Sequence, residues 1–198
     1  HHPHQFPELH QDDDTYDAMK NGQALLELLG RGDIGRWIVI HGHKHHARIV
    51  HAAGTSSSPV VFSAGSFSAV IYPQLQTVAR NQFYLVTIPL NNDMGLVGSI
   101  RSWDWTPAGW IPSGAQGSGI SSSAAFGCRD SPDNLARRIK DAVAGRAVVD
   151  WNNITAEIPE LDFILPQDFA SVIKTLSNRY ACEVVLADGH PVQVGIRK

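Results

Sequence analysis

The stretch Trp37-Ile38-Val39-Ile40-His41-Gly42-His43-Lys44-His45-His46 decides how the chain is read. Its first four residues are apolar and rich in β-branched side chains, which predicts a short strand buried on both faces. The strand ends abruptly in a histidine-rich loop, and Gly42 lets the backbone turn sharply or approach a neighbour closely. Imidazole is the commonest protein metal ligand and the usual acid or base near neutral pH. Alternating histidines on a turning backbone can converge on one cation, so His43-x-His45 is a candidate metal pair. Its position at a strand end is where α/β proteins build their sites.

Working outward, residues 12–29 are predicted as a helix. Asp14 or Thr15 caps it, Ala18, Leu25, Leu26 and Leu29 recur at helical spacing, and Gly30 and Gly32 stop it. Asp12, Asp13 and Asp14 read as charge at the helix start, and Gly32-Asp33 as a turn. Before the helix stands a second histidine group, His1-His2-Pro3; nine of the ten histidines fall in the first 51 residues. Pro3 breaks that run and the 41–51 cluster is internal, unlike a purification tag. Downstream, the apolar run Val60-Val61-Phe62 ends in Ser63-Ala64-Gly65-Ser66-Phe67. Phe83–Leu90 and Leu96–Trp103 are expected to pair across Asn91-Asn92-Asp93 as a hairpin. The aromatic segment Trp103–Trp110 is expected to pack along the domain edge, with a substrate pocket as the alternative.

Residues 113–131 carry six Ser and four Gly, the composition of a linker. The expected organisation is residues 1–112, a linker over 113–131 and a small α+β region over 132–198. In that last region 133–144 and 167–180 are predicted helices, and Glu183–Arg197 a closing strand pair. Asp188-Gly189 between apolar runs predicts a hairpin turn there, not a metal-binding Asp-x-His.

The chain has 198 residues and 21.6 kDa, enough for one large domain or two small ones. Sixteen Lys and Arg against 19 Asp and Glu leave a net charge of -3. That balance excludes capture of nucleic acid or anionic lipid by bulk electrostatics. No apolar run approaches the roughly 18 residues of a membrane span. Two cysteines, Cys128 and Cys182, make no disulfide framework, so a reducing, cytoplasmic setting is expected.

His1-His2-Pro3, a helix, an apolar strand, Gly42-His43-Lys44-His45 and a strand running into Ala64-Gly65-Ser66 together resemble the calcineurin-like metallophosphoesterases. The resemblance covers about residues 1–103 and only the C-terminal half of that family's domain. It implies an α/β fold, half of an αββα sandwich, followed here by the small α+β region. It implies His1, His43 and His45 as metal ligands, with His2 and His41 near the site; His41 departs from the small residue usual there, and His46 and His51 match no motif position. It implies a dinuclear divalent centre of Mn, Fe or Zn hydrolysing a phosphomonoester or phosphodiester, because two cations lower the pKa of a bridging water and clamp the phosphoryl oxygens. The family's Asp-x-His, Gly-Asp and Gly-Asn-His/Asp have no counterpart before His1. The remaining ligands are therefore expected from an N-terminal half, supplied in cis or in trans, and this chain alone is expected to be incomplete for hydrolysis. A binding or scaffold module derived from the same fold is the alternative.

Overall fold

The computed structural model describes residues 19–42, 45–71, 77, 79–90, 93–114, 119–187 and 189–197. The chain divides into two compact units between Ala124 and Ala125.

In the first unit, helix α1 (Gly22–Leu29) turns Leu26 and Leu29 inward. Lys20 and Asn21 form a turn before it, so the predicted 12–29 helix is not continuous; its first turns and their caps lie outside the described residues. Strands β1 (Ile38–His41), β2 (Arg48–His51) and β3 (Val60–Ser63) form a sheet of order β1-β3-β2. β1 runs parallel to β3, and β2 antiparallel to it. Both central neighbours cover β3, and all four of its residues are buried. β1, predicted to be buried on both faces, instead takes the edge of this sheet among the described residues, with Ile40 57% exposed. Its apolar run signals a strand correctly; which strand takes the centre depends on pairing partners far along the chain.

The predicted hairpin forms, with shifted bounds: β4 (Gln82–Thr87) pairs antiparallel with β5 (Gly98–Thr106). β5 continues into β6 (Gly109–Pro112) through a turn in which the Thr106 hydroxyl donates to the Gly109 carbonyl at 2.8 Å. Residues 113–131 are not linker throughout, because β7 (Ser123–Phe126) pairs with β5. The Ser102 hydroxyl donates to the Ile120 carbonyl at 2.7 Å, so serine here serves ordered backbone rather than flexibility.

The second unit runs α2 (Pro132–Val143), β8 (Val148–Asp150), α3 (Trp151–Glu157), a 3-10 turn (Pro159–Phe163), α4 (Pro166–Tyr180), β9 (Cys182–Ala187) and β10 (His190–Ile196). Ser131 caps α2, its hydroxyl accepting the Asn134 amide at 3.2 Å. Leu135, Ile139, Ile154, Val172, Leu176 and Val194 are fully buried in one core shared by the helices and an antiparallel sheet of order β8-β10-β9. Gly189, at φ +80, occupies the β9–β10 turn in the left-handed region that favours glycine. Asp188 lies outside the described residues, and His190 begins β10.

Candidate metal loop and the strand ends that carry it

The parallel pairing sets Ile38 against Val60 and His41 against Ser63, so β1 and β3 end at the same level. The loops that follow them, from Gly42 and from Ala64, therefore leave the sheet at one end. Two hydrogen bonds tie these loops together. The Ala64 amide donates to the His41 carbonyl at 2.7 Å, and the Ser63 hydroxyl donates to the His46 carbonyl at 2.8 Å.

Of the five histidines named from sequence, His1, His2 and His43 lie outside the described residues. His41 is the last residue of β1, half-buried, with its Nε2 in the interior. His45 is half-buried and holds φ +57, a left-handed conformation that costs a non-glycine residue about 1–2 kcal/mol. Strain of that kind concentrates at functional loops. Among the described residues no three His, Cys, Asp or Glu side chains gather to hold a cation. The donors of the described loop, His41, His45 and His46, are imidazoles, which suit Zn or Fe in kind, whereas Mn calls for carboxylates beside them. In number they fall short of a bridged pair, which needs carboxylates as well.

The Ala64-Gly65-Ser66 motif is held from the other sheet of the unit. The Gly65 amide donates to the Tyr84 hydroxyl at 3.0 Å, and the Gln82 amide donates to the Ser66 carbonyl at 2.7 Å. The Ser66 hydroxyl accepts the Ala69 amide at 2.8 Å, closing the turn, and Asn81 donates to the Ala69 carbonyl at 2.9 Å. A Cβ on Gly65 would meet the Tyr84 hydroxyl at 2.7 Å and the Arg80 carbonyl at 3.1 Å, so glycine is required by close approach.

Tyr84 in turn donates to Gln82 Oε1 at 2.9 Å, and the Gln82 amide nitrogen donates to the Asp104 carboxylate and the Ile120 carbonyl, each at 2.8 Å. Arg80 pairs with Asp104 at 3.1 Å. Burial pushes the Tyr84 phenol well above its usual range; the Gly65 hydrogen bond opposes this and the Asp104 charge adds to it. Gln82, Tyr84 and Asp104 are the residues sequence reading missed. Their signal was faint: polar residues at alternate positions on one face of a strand pair, the face that looks like solvent until the sheet is assembled.

Comparison with known proteins adds one observation, and it concerns the second unit. Residues 124–178 match the family described as wHTH-Calcineurin_assc. No curated protein and no solved structure matches the chain. The matched residues span α2, β8, α3 and most of α4, and the β9–β10 hairpin follows them. The matched region carries the calcineurin association in its name only; it does not extend over the histidine loop.

Proposed function

We propose that this chain belongs to a metal-dependent phosphoesterase and supplies the histidine ligands His1, His43 and His45 of a dinuclear Mn, Fe or Zn centre. The observation that carries the reading is the alignment of His41 with Ser63, which brings the Gly-His-x-His loop and the Ala-Gly-Ser loop to one end of a parallel strand pair. The order of motifs along residues 1–103 and the calcineurin association in the name of the matched domain support the same reading. The remaining ligands, carboxylates among them, come from outside the described residues. When bound, such a centre lowers the pKa of a bridging water and polarises the phosphoryl oxygens.

The chain's own part is positional. Ser63 fixes the His46 carbonyl, Tyr84 fixes Gly65, and the left-handed turn at His45 sets the direction of its imidazole. Calorimetric titration with Zn²⁺ or Mn²⁺, comparing the natural chain with His43→Ala plus His45→Ala, tests ligation; equal affinity would remove the site from this loop. Hydrolysis of a chromogenic phosphomonoester and diester by the complete assembly, with Mn²⁺ and with chelator, tests activity. A complete assembly that binds two metals and turns over neither ester would overturn the enzyme reading.

A second reading, a binding module, has its own support in the second unit. Residues 125–198 carry nine Lys and Arg against ten Asp and Glu, which gives little attraction for a phosphate backbone. Val148 and Val185 are exposed on the outer face of the β8-β10-β9 sheet, and Leu186 and Ile196 are exposed as well. The same face carries Asp150, Glu183 and Gln193, and two carboxylates there suit protein contact better than contact with a phosphate backbone.

A further inference from the structure

The β4-β5-β6 sheet has two faces of opposite character. Register pairs Phe83 with Trp103, Trp105 with Trp110 and Leu85 with Arg101, and all of these lie on the face opposite Gln82, Tyr84 and Asp104. Phe67, from the loop after β3, joins that face at 5.0 Å from Trp110. Phe83 lies 5.4 Å from Trp103 and 6.3 Å from Trp110, and Trp105 stands edge-on to Trp110 at 5.3 Å.

Phe67, Phe83, Trp103 and Trp110 line an open cavity of about 400 Å³. The Arg101 guanidinium lies 5.2 Å from the Trp103 ring centroid and has no carboxylate partner among the described residues. Phe67 and Phe83 are exposed, at 61% and 45%, while Trp103 and Trp110 are half-buried; apolar rings left facing water are costly as mere packing, since each can bury about 150–250 Å².

We propose that this aromatic cavity binds a nucleotide, the base stacked among Trp103, Trp110, Phe67 and Phe83 and the phosphate on Arg101. Charge complementarity selects the ligand: a flat apolar body with one anionic end answers a ring cluster with one uncompensated guanidinium. Sugar recognition is disfavoured because, among the described residues, the lining offers ring faces and no polar groups beyond the indole N–H groups. A quaternary ammonium is disfavoured because Arg101 already places positive charge over Trp103. Base stacking on aromatic side chains is worth about 1–3 kcal/mol per base and is indifferent to sequence, so no base-reading groups are needed. The chain's net charge of -3 is no obstacle, since one local contact rather than bulk attraction supplies the electrostatics. Phe67 directly follows the Ala64-Gly65-Ser66 loop, but the proposal does not rest on the phosphoesterase reading.

The test is quenching of intrinsic tryptophan fluorescence in the full chain, in EDTA, by AMP, adenosine, inorganic phosphate and an eight-residue oligothymidylate. AMP is expected to quench saturably, adenosine to bind more weakly and phosphate not to quench. Trp110→Ala should weaken AMP about 5- to 150-fold, the stacking energy of one base. Arg101→Gln also removes the guanidinium from the Trp103 ring, and it should weaken AMP more than it weakens adenosine. Raising salt from 50 to 200 mM should weaken oligothymidylate about 2.6-fold, the response of one phosphate contact on a single strand. Tighter binding of AMP than of oligothymidylate supports the proposal; tighter binding of oligothymidylate would assign the site to single-stranded nucleic acid and overturn it. Equal binding of AMP and adenosine, indifference to Arg101→Gln, or no saturable quenching by any of the four overturns it.

Discussion

The Gly65 amide donates to the Tyr84 hydroxyl at 3.0 Å, and a Cβ at position 65 would stand 2.7 Å from that same oxygen. One contact therefore fixes the loop after β3 and forbids a side chain in it. Phe62 meets the Tyr84 ring edge-on at 5.1 Å, so the buried strand and the anchoring tyrosine pack as one block.

Gly65→Ala is expected to destabilise the chain by about 1–3 kcal/mol through overpacking. Tyr84→Phe takes the acceptor from the Gly65 amide, while Gln82 Oε1 keeps the Ile120 amide, and it should cost about 1–3 kcal/mol. Together the two changes should cost less than their sum, because both act on one contact. Urea denaturation of the four proteins in the cycle measures it; strict additivity would separate the two residues.

Alkaline pH should weaken the fold through Tyr84. A tyrosine in the unfolded chain ionises near pH 10, whereas burial holds the Tyr84 phenol protonated well above that. Above pH 10 the unfolded state thus binds fewer protons than the folded one, and stability falls as pH rises, by up to about 1.4 kcal/mol per unit. Below pH 10 this contribution is fully present. Denaturation between pH 9 and 11 should show the decline, and Tyr84→Phe should flatten it.

His45→Gly separates backbone strain from ligation. Glycine adopts the left-handed φ of +57 without steric cost, so the variant should fold with stability within about 1 kcal/mol of the natural chain. It should nonetheless bind Zn²⁺ or Mn²⁺ more weakly, with affinity falling below about pH 6, where imidazole protonates. Thermal melting beside calorimetric titration reads both; unchanged metal affinity would take His45 out of the ligand set.

Ala181 ends α4 in the left-handed region at φ +50, where glycine is the usual residue. Ala181→Gly should stabilise the second unit by about 0.5–1 kcal/mol. The check is the melting temperature of residues 127–198 prepared alone, which carry the whole core cluster of that unit and should unfold cooperatively.

Sequence by itself determined the local features. The apolar runs at 38–40 and 60–62, the strand pair around 82–106, the helices at 132–143 and 166–180 and the turn at Gly189 were all legible, because propensity, period and turn chemistry act over a few residues. It also marked the histidine loop and the Ala-Gly-Ser loop, by composition and spacing. Tertiary structure alone decided which strand is central. Val60–Ser63 lies between β1 and β2 and is buried, while the equally apolar Ile38–Ile40 takes the edge among the described residues, since burial follows from pairing and not from hydropathy. The two sheet faces came from assembly too. Phe83, Trp103 and Trp110 share a face with Arg101, and Gln82, Tyr84 and Asp104 share the other, because antiparallel register sets side chains from distant positions side by side. The same register gives Gly65 its reason: the approach of Tyr84 from another sheet, with the Arg80 carbonyl beside it, leaves no room for a Cβ unless something shifts.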